Sequence, residues 1–467
     1  MIPIPEPTAS RLGEFIAGTG FADLPGSVAE KAKRHLLDTL GAALAGARTP
    51  ETAGITAALT TPTAAGAAIW GTGLLATARD AALANGVAAH ALELDDTGGC
   101  DHSGAVVVPA ALAALSLTDR AVSGAELLVA IVLGYDLARR ALEGCGGYQE
   151  HNQAGWHSTG TCGPFGSAAA AARILALAPE QCSAAVGFAA SMSGGLWAFV
   201  HSGALSKRLH AGRAAEAGVT AAVLAGSGIP GPVHALDDVW GGFLRTLAPE
   251  TAEHGALTDG LGVQWRIQRC AIKPHASCRG THSAVDAVAQ LMRNHGLHAE
   301  KIREVRVRLS PFLADMCGGR DTRTLGTAQL SLPYAVAAQI AFGAADLAAY
   351  GPEQRRDERV RAIMDSVVLE VDSSMSASEE PVIVLVTESA GYQYRVTDPL
   401  GSPTNPIGDD ALIAKFRRLV PEPTAERLVD TVMRLDELPD ARLLLDHLAQ
   451  EVVSEWLRPA DPEGAGA

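Results

Sequence analysis

GWHSTGTCGPFGSAAAAARILAL, residues 155–177, sets a histidine and a run of Ser, Thr, Gly and Cys directly before an alanine-rich segment. Alanine is the strongest intrinsic helix former, and Ser or Thr ahead of such a run satisfies orphan N–H groups at a helix start. The stretch therefore predicts a plain helix with a polar beginning, and the composition of the whole chain repeats the theme. Hydrophobic residues make up 48% and aromatics only 4%, with 49 glycines. That mix suits closely packed helices better than strands rich in β-branched and aromatic residues, so a mainly α protein is expected. At 467 residues the chain exceeds the size at which single cores stop growing, and two domains are expected.

A formal charge of −15 and a pI near 5.4, without any Lys/Arg-rich block, argue against nucleic acid or an anionic membrane as the partner. The cysteines, at 100, 145, 162, 182, 270, 278 and 317, are an odd and scattered set. They read as reduced thiols of a cytoplasmic protein with no disulfide. The opening MIPIPEPTASRLGEF has no basic region followed by an apolar core, so no secretory signal is read. The charge-free stretches 52–78 and 182–206 are broken by small and polar residues and are too weakly apolar to span a bilayer, which predicts a soluble protein.

Helix starts recur through the first half. Ser27-Val28-Ala29-Glu30 and Ser123-Gly124-Ala125-Glu126 match a capping box. Behind the first, Val28, Ala32, Leu36, Leu40 and Leu44 fall on one helical face. Pro179 suits the first position of another helix. After Trp265 the pattern changes. KIREVRVRLS (301–310), VVLEVD (367–372) and PVIVLVTESAGYQYRVTD (381–398) read as strands, the last a hairpin turning near Ala390-Gly391, with helices at about 279–296 and 327–347. These signals predict a helical domain to about 265, an α+β domain at about 266–400, final helices at 409–458 that look like the first half again, and a disordered tail at 461–467.

Four segments concentrate polar and titratable side chains. In GWHSTGTCGPFG, exposed N–H groups and the positive helix end favour a carboxylate, with His157 at the edge to donate or carry a proton; a capping Ser158 or Thr161 beside a structural histidine is the plainer account. In SKRLHAG, Lys207 and His210 share a helix face while Arg208 points elsewhere, and a solvated basic face is the alternative. ELDDT crowds Glu93, Asp95 and Asp96 ahead of His102, and like charges raise one another's pKa towards neutrality unless they merely cap a turn. KPHASCRGTH carries His275, Cys278 and His282 at nominal ligand spacing, but no second pair follows and no metal is read; Lys273 and Arg279 suit an anionic substrate instead. No G-x-S-x-G, P-loop or G-x-G-x-x-G motif occurs.

Taken in order, ELDDT, GWHSTGTCGPFGSAAAAAR, SKRLHAGRAAEAG and KPHASCRGTHSAVDA, with LSLPYAVA and VMRLDELPD in support, resemble the MmgE/PrpD family over nearly the whole chain. Its members include 2-methylcitrate dehydratase, cis-aconitate decarboxylase and iminodisuccinate epimerase. The resemblance implies a large all-helical domain from 1–265 and 405–460 with an inserted smaller α+β lid at 266–404, a homodimer without metal or organic cofactor, and a site in the cleft between the two domains for a small anionic organic acid. Carried over by motif, His102, His157, Glu93, Asp96 and Lys207 are the expected catalytic residues, and Thr97, Thr161, His210, Lys273, Arg279 and His275 the expected substrate contacts. Glu93 stands where the family usually has Asp, TGGCDHSG keeps one histidine of two His-Pro pairs, and His275 and Ser277 replace a frequent Tyr and Cys. The implied reaction is cofactor-independent proton transfer beside a carboxylate on a polycarboxylate, by a dehydratase or decarboxylase. An epimerase of a dicarboxylic amino or imino acid and a repurposed, non-catalytic binding protein are the alternatives.

Overall fold

A computed structural model describes residues 6–202 and 204–452. The tail expected at 461–467 and the end of the last helical segment, 453–460, lie outside the described residues. The fold is mainly α, as the composition predicts, with a smaller α+β part.

The alanine-rich stretch forms the helix Ser158–Ile174. It packs between the helices Gly124–Gly144 and Ser206–Gly226 and touches Gly104–Leu115, a helix buried on every side. Small residues make this possible: a Cβ on Gly166 would meet the carbonyl oxygen of Gly134 at 2.4 Å, so the two helices cross at backbone contact. A helix apolar all round belongs inside a bundle. The Ser123 capping box forms as read, and Pro179 opens its helix. Ser27 does not cap. The helix Gly26–Gly46 begins two residues earlier than a Ser27 cap would place it, behind Pro25, and Glu30, the intended reciprocal partner, is drawn 2.9 Å from Lys33 instead.

Strands β1 (Ala67–Ile69) and β2 (Leu74–Ala76) form a short antiparallel pair in the stretch 52–78, where the sequence showed no strand signal. The second sheet contains β3 (Glu304–Leu309), β4 (Val367–Val371), β5 (Val382–Val386) and β6 (Gly391–Tyr394). Its order is β4-β3-β5-β6, with β3 and β4 parallel and the other pairs antiparallel. Val305, Val307 and Leu309 face the core while Arg306 and Arg308 face solvent, which is the period-two pattern of a sheet covered on one side. The helix expected at 327–347 is two helices, Leu325–Gln329 and Leu332–Phe342, because the Ser331 side chain caps the second and Pro333 lies in its first turn. The one expected near 279–296 is a 3₁₀ turn followed by the helix His282–His295.

Two apolar cores result. One gathers the first half and returns through Ile407, Leu412 and Phe416; the other runs from Cys278 to Leu385. The helix Leu332–Phe342 serves both, with Leu332, Val336 and Ile340 turned to the second core and Tyr334, Ala335 and Ala338 to the first. All seven cysteines are buried free thiols. Among the described residues no helix is long and apolar enough to cross a membrane.

Candidate active site

The loop between the helices Ala78–Ala89 and Gly104–Leu115 carries ELDDT and TGGCDHSG, and it is buried almost throughout. Two contacts hold it. Thr97 exchanges backbone hydrogen bonds with Ala271, 3.0 and 2.7 Å, tying the loop to the start of the α+β part. Asp96 accepts from the Gly104 N–H at 2.9 Å and from the Tyr135 hydroxyl at 2.6 Å, and lies 2.9 Å from His35 Nδ1. Gly104 is required at this point, since a Cβ there would sit 3.1 Å from Asp96 Oδ1 and 2.8 Å from the Tyr135 oxygen.

With Asp96 turned inward, Glu93, Thr97, Asp101 and His102 line a cavity of about 520 Å³ together with Tyr148, Trp197 and Lys207 from the helical part. Cys278, Arg279, Leu313, Met316 and Glu380 close it from the α+β part. Glu93 forms an ion pair with Lys207, and Lys273 Nζ lies 3.8 Å from Glu93 and 3.9 Å from Asp95. Lys273 is buried and its ammonium makes no hydrogen bond to any described residue. His102 Nδ1 is 3.0 Å from Asp95 and 3.1 Å from the Asp96 carbonyl, and its Nε2 is 3.3 Å from Asp101. His90 stacks on His102 at 3.9 Å and bonds Asp95 at 3.1 Å.

This arrangement reverses the electrostatics read from the sequence. Burial alone would raise the carboxyls, but Lys207, His90 and Lys273 outweigh it at Glu93, and His90 and His102 at Asp95, so both stay below the usual carboxylate range. Burial disfavours the charged form of His102, yet Asp101 and Asp95 lift it to about 10. His102 is an imidazolium. His157 is the opposite: burial, then Lys207 and His210, push it well down, and burial and Lys207 take His210 to about 4. The two neutral rings meet Nδ1 to Nδ1 at 2.9 Å, leaving His157 Nε2 buried with no hydrogen-bond partner among the described residues.

His157 does not line the cavity; Trp197, which does, packs edge-on against it at 5.2 Å. Nitrogen or oxygen atoms of Asp101, His102 and His157 nonetheless fall within 4.8 Å of one another. His210, an expected substrate contact, is off the cavity with its partner His157, and three further expected residues are placed elsewhere. Asp96 holds His35 and Tyr135 behind the loop; Thr161 lies 2.7 Å from His151; His275 pairs with Asp286 at 2.8 Å. The anion pocket expected at the start of the alanine-rich helix is not on the cavity either, because the Ser158 N–H is taken by Asn152 and those of Gly160 and Thr161 by the His157 carbonyl. Arg208, read as pointing away from the face of Lys207 and His210, is buried, so the alternative of a solvated basic face does not describe this segment. Arg279 reaches the cavity rim and donates to Glu380 at 2.7 Å.

The sequence reading missed His90 and Asp101, and named Asp95 without a site role. A lone histidine in an alanine-rich helix end carries no periodic signal, and Asp101 sits in the part of the loop that departs from the family motif.

Comparison with known proteins gives two family models in register. One described as the MmgE/PrpD N-terminal domain matches residues 10–254, and one described as the MmgE/PrpD C-terminal domain matches residues 275–436. The chain is 28% identical over 462 residues to the cis-aconitate decarboxylase-like protein oryM of Aspergillus oryzae, covering 92% of this chain and 95% of the relative. It is 28% identical over 456 residues to a cis-aconitate decarboxylase of Aspergillus terreus, covering 91% and 92%. The human cis-aconitate decarboxylase is 27% identical over 463 residues, covering 92% of each chain.

Proposed function

The chain belongs to the MmgE/PrpD family, and on that premise we propose that it is a lyase acting on a small polycarboxylate, a decarboxylase or dehydratase that moves a proton beside a carboxylate with groups of its own chain. The observation that carries this is the cluster of Lys207, Glu93, Asp95, His102 and Asp101 on a cavity closed by both parts of the fold. The names of the relatives, all cis-aconitate decarboxylases or a protein like them, support the decarboxylase form.

In a decarboxylation the C–C bond to the departing carboxylate breaks, carbon dioxide leaves, and a proton returns to the substrate carbon skeleton. In a dehydration a C–H bond and the C–O bond on the neighbouring carbon break, a C=C bond forms, and hydroxide leaves with a proton as water. Either way charge gathers beside a retained carboxylate as an enediolate, and fixed cations in a dry site stabilise it. Lys207 spends one of its three donors on Glu93 and keeps the others for that charge. His102 has both ring nitrogens committed to acceptors, so it acts as a fixed cation. His157 is neutral but lies behind Trp197, off the cavity wall, so a proton it holds reaches the substrate only by way of Asp101, whose carboxylate is within 4.8 Å of it.

The test is incubation in deuterated water with cis-aconitate and a panel of unsaturated and hydroxylated di- and tricarboxylates, followed by NMR. Loss of carbon dioxide with one deuterium placed on carbon, or loss of water to an alkene that gains no label, is expected. Exchange into an otherwise unchanged acid would indicate an epimerase, and no reaction with any acid of the panel would overturn the lyase reading.

His102 also predicts a pH dependence of stability. Its folded value is raised to about 10, so the stabilisation is complete below its ordinary value near 6.5 and is lost as pH rises from there through about 10. Thermal unfolding between pH 7 and 10 is expected to show a smaller loss of Tm in His102→Gln than in the wild type. An identical slope in the two proteins would show that His102 is not charged in the folded state.

A further inference from the structure

Lys207 and Arg208 stand in the first turn of the helix Ser206–Gly226, which carries no acidic residue there. The positive end of a helix disfavours cations, so two of them in one first turn lower stability unless an anion answers them. Lys207 is answered by Glu93. Arg208 is not. It is only 6% exposed, yet its guanidinium makes no hydrogen bond or ion pair with any described residue. Burial lowers its pKa in spite of the more distant pull of Glu93 and Glu51, and a guanidinium stays charged in a protein all the same. A buried charge without a partner is costly, and the fold keeps one here.

The arginines on the wall of the main cavity differ from it. Arg139 and Arg269 both reach Glu143, at 3.0 and 3.5 Å, and Arg279 donates to Glu380. Arg208 lines a second, smaller cavity of about 30 Å³ with Glu93, Lys207, Phe199, Gly326 and Leu330. That volume admits about two water-sized groups, which is what the two oxygens of one carboxylate occupy. Glu93 and Lys207 line both cavities, so the two meet at this ion pair. A Cβ on Gly326 would lie 3.7 Å from Arg208 Nη2, so the α+β part walls the small cavity as it does the large one. Glu93, the carboxylate common to both, is countered by Lys207 and by Lys273 at 3.8 Å, which leaves the Arg208 charge facing the small cavity unopposed.

We infer that Arg208 is a substrate-binding residue: its guanidinium receives one carboxylate of the substrate in the small cavity, while the reacting carbon lies in the large one beside Lys207. This rests on the polycarboxylate reading above. The planar guanidinium presents parallel N–H groups that match the two oxygens of a carboxylate, and a carboxylate held there supplies the charge that the fold itself withholds.

Titration calorimetry and thermal unfolding of the wild type and of Arg208→Met test it, with succinate, malate, tricarballylate and trans-aconitate as ligands. Every acid that the wild type binds is expected to bind the variant at least about tenfold more weakly, the worth of hydrogen bonds to a charged group. Without ligand the variant is expected to melt no lower than the wild type, because the change removes a buried cation that nothing in the fold answers. An arginine with a purely structural duty would give the reverse, a lower Tm and unchanged affinities. A smaller loss of affinity for any acid that the wild type binds, or a Tm lowered by more than about 3 °C, a variant that does not fold included, overturns the assignment of Arg208 and leaves the polycarboxylate reading standing. Binding of none of the four acids by the wild type overturns that reading and the inference with it.

Discussion

Lys207→Met is expected to lower kcat/KM for the substrate by about a thousandfold, the upper end of what removing one preorganised charge from an active site costs. The ammonium is buried, paired to Glu93 and on the cavity wall. Its neighbours hold it charged: burial opposes the cation, but Glu93, Cys278 and Asp101 outweigh it and raise its pKa. Methionine keeps the length of the side chain and removes the charge, so the enediolate loses its nearest cation and faces an uncompensated Glu93. That unpaired carboxylate also destabilises the fold, by about 3–5 kcal/mol when one partner of a buried pair is removed. The double variant Lys207→Met/Glu93→Gln separates the two effects: its Tm should recover most of the loss while turnover stays near that of the single variant. Steady-state kinetics beside thermal unfolding of both variants checks this, and more than a tenth of wild-type kcat/KM in either would remove Lys207 from the mechanism.

Lys415→Met is expected to cost about 3 kcal/mol and lower Tm by about 3–5 °C, although Lys415 lies far along the chain from the motifs of the helical half. Its ammonium donates to Asp38 at 2.5 Å and to the Leu94 carbonyl at 2.8 Å. It thereby joins the helix Asp409–Leu419 to the helix Gly26–Gly46 and to the ELDDT loop. Burial pushes the Asp38 carboxyl up and the Lys415 ammonium down despite their pairing, so desolvation is the larger influence on both. Without Lys415, Asp38 takes up a proton, which places the cost at the low end of the range for a broken buried pair. Adding Asp38→Leu to the variant should return most of the lost Tm, because two apolar groups need no partner. A single variant as stable as the wild type would show that the contact does not hold the loop.

Much of the fold was legible because helix signals are local. The Ser123 capping box, Pro179 and the alanine run each act within a few residues, and the alternation in KIREVRVRLS alone marks β3 with one buried face. The misplaced features are those where a neighbour outside the window wins. Ser27 lost its cap role to Pro25 and Lys33, and a single helix at 327–347 was divided by Ser331 and Pro333. Site residues divided in the same way. Of the residues the motifs supplied, Glu93, Thr97, His102, Lys207 and Arg279 line one cavity with Lys273 behind them. Asp95 and Asp96 are neighbours in sequence with opposite duties, one on His102 and one on Tyr135, and nothing in the local pattern tells which is which.

The sequence by itself determined the helical class, the strand-bearing insertion, the family and the segments that hold the polar groups, since periodicity, capping and motif order are properties of short stretches. Tertiary structure alone decided the charge states and the facing: that His102 is cationic and His157 neutral, that Asp101 reaches the cavity, and that Thr161 and His275 do not. The reason is physical. A side chain's propensity travels with the chain, whereas its ionisation depends on which charges folding brings within a few ångströms and how much water it removes.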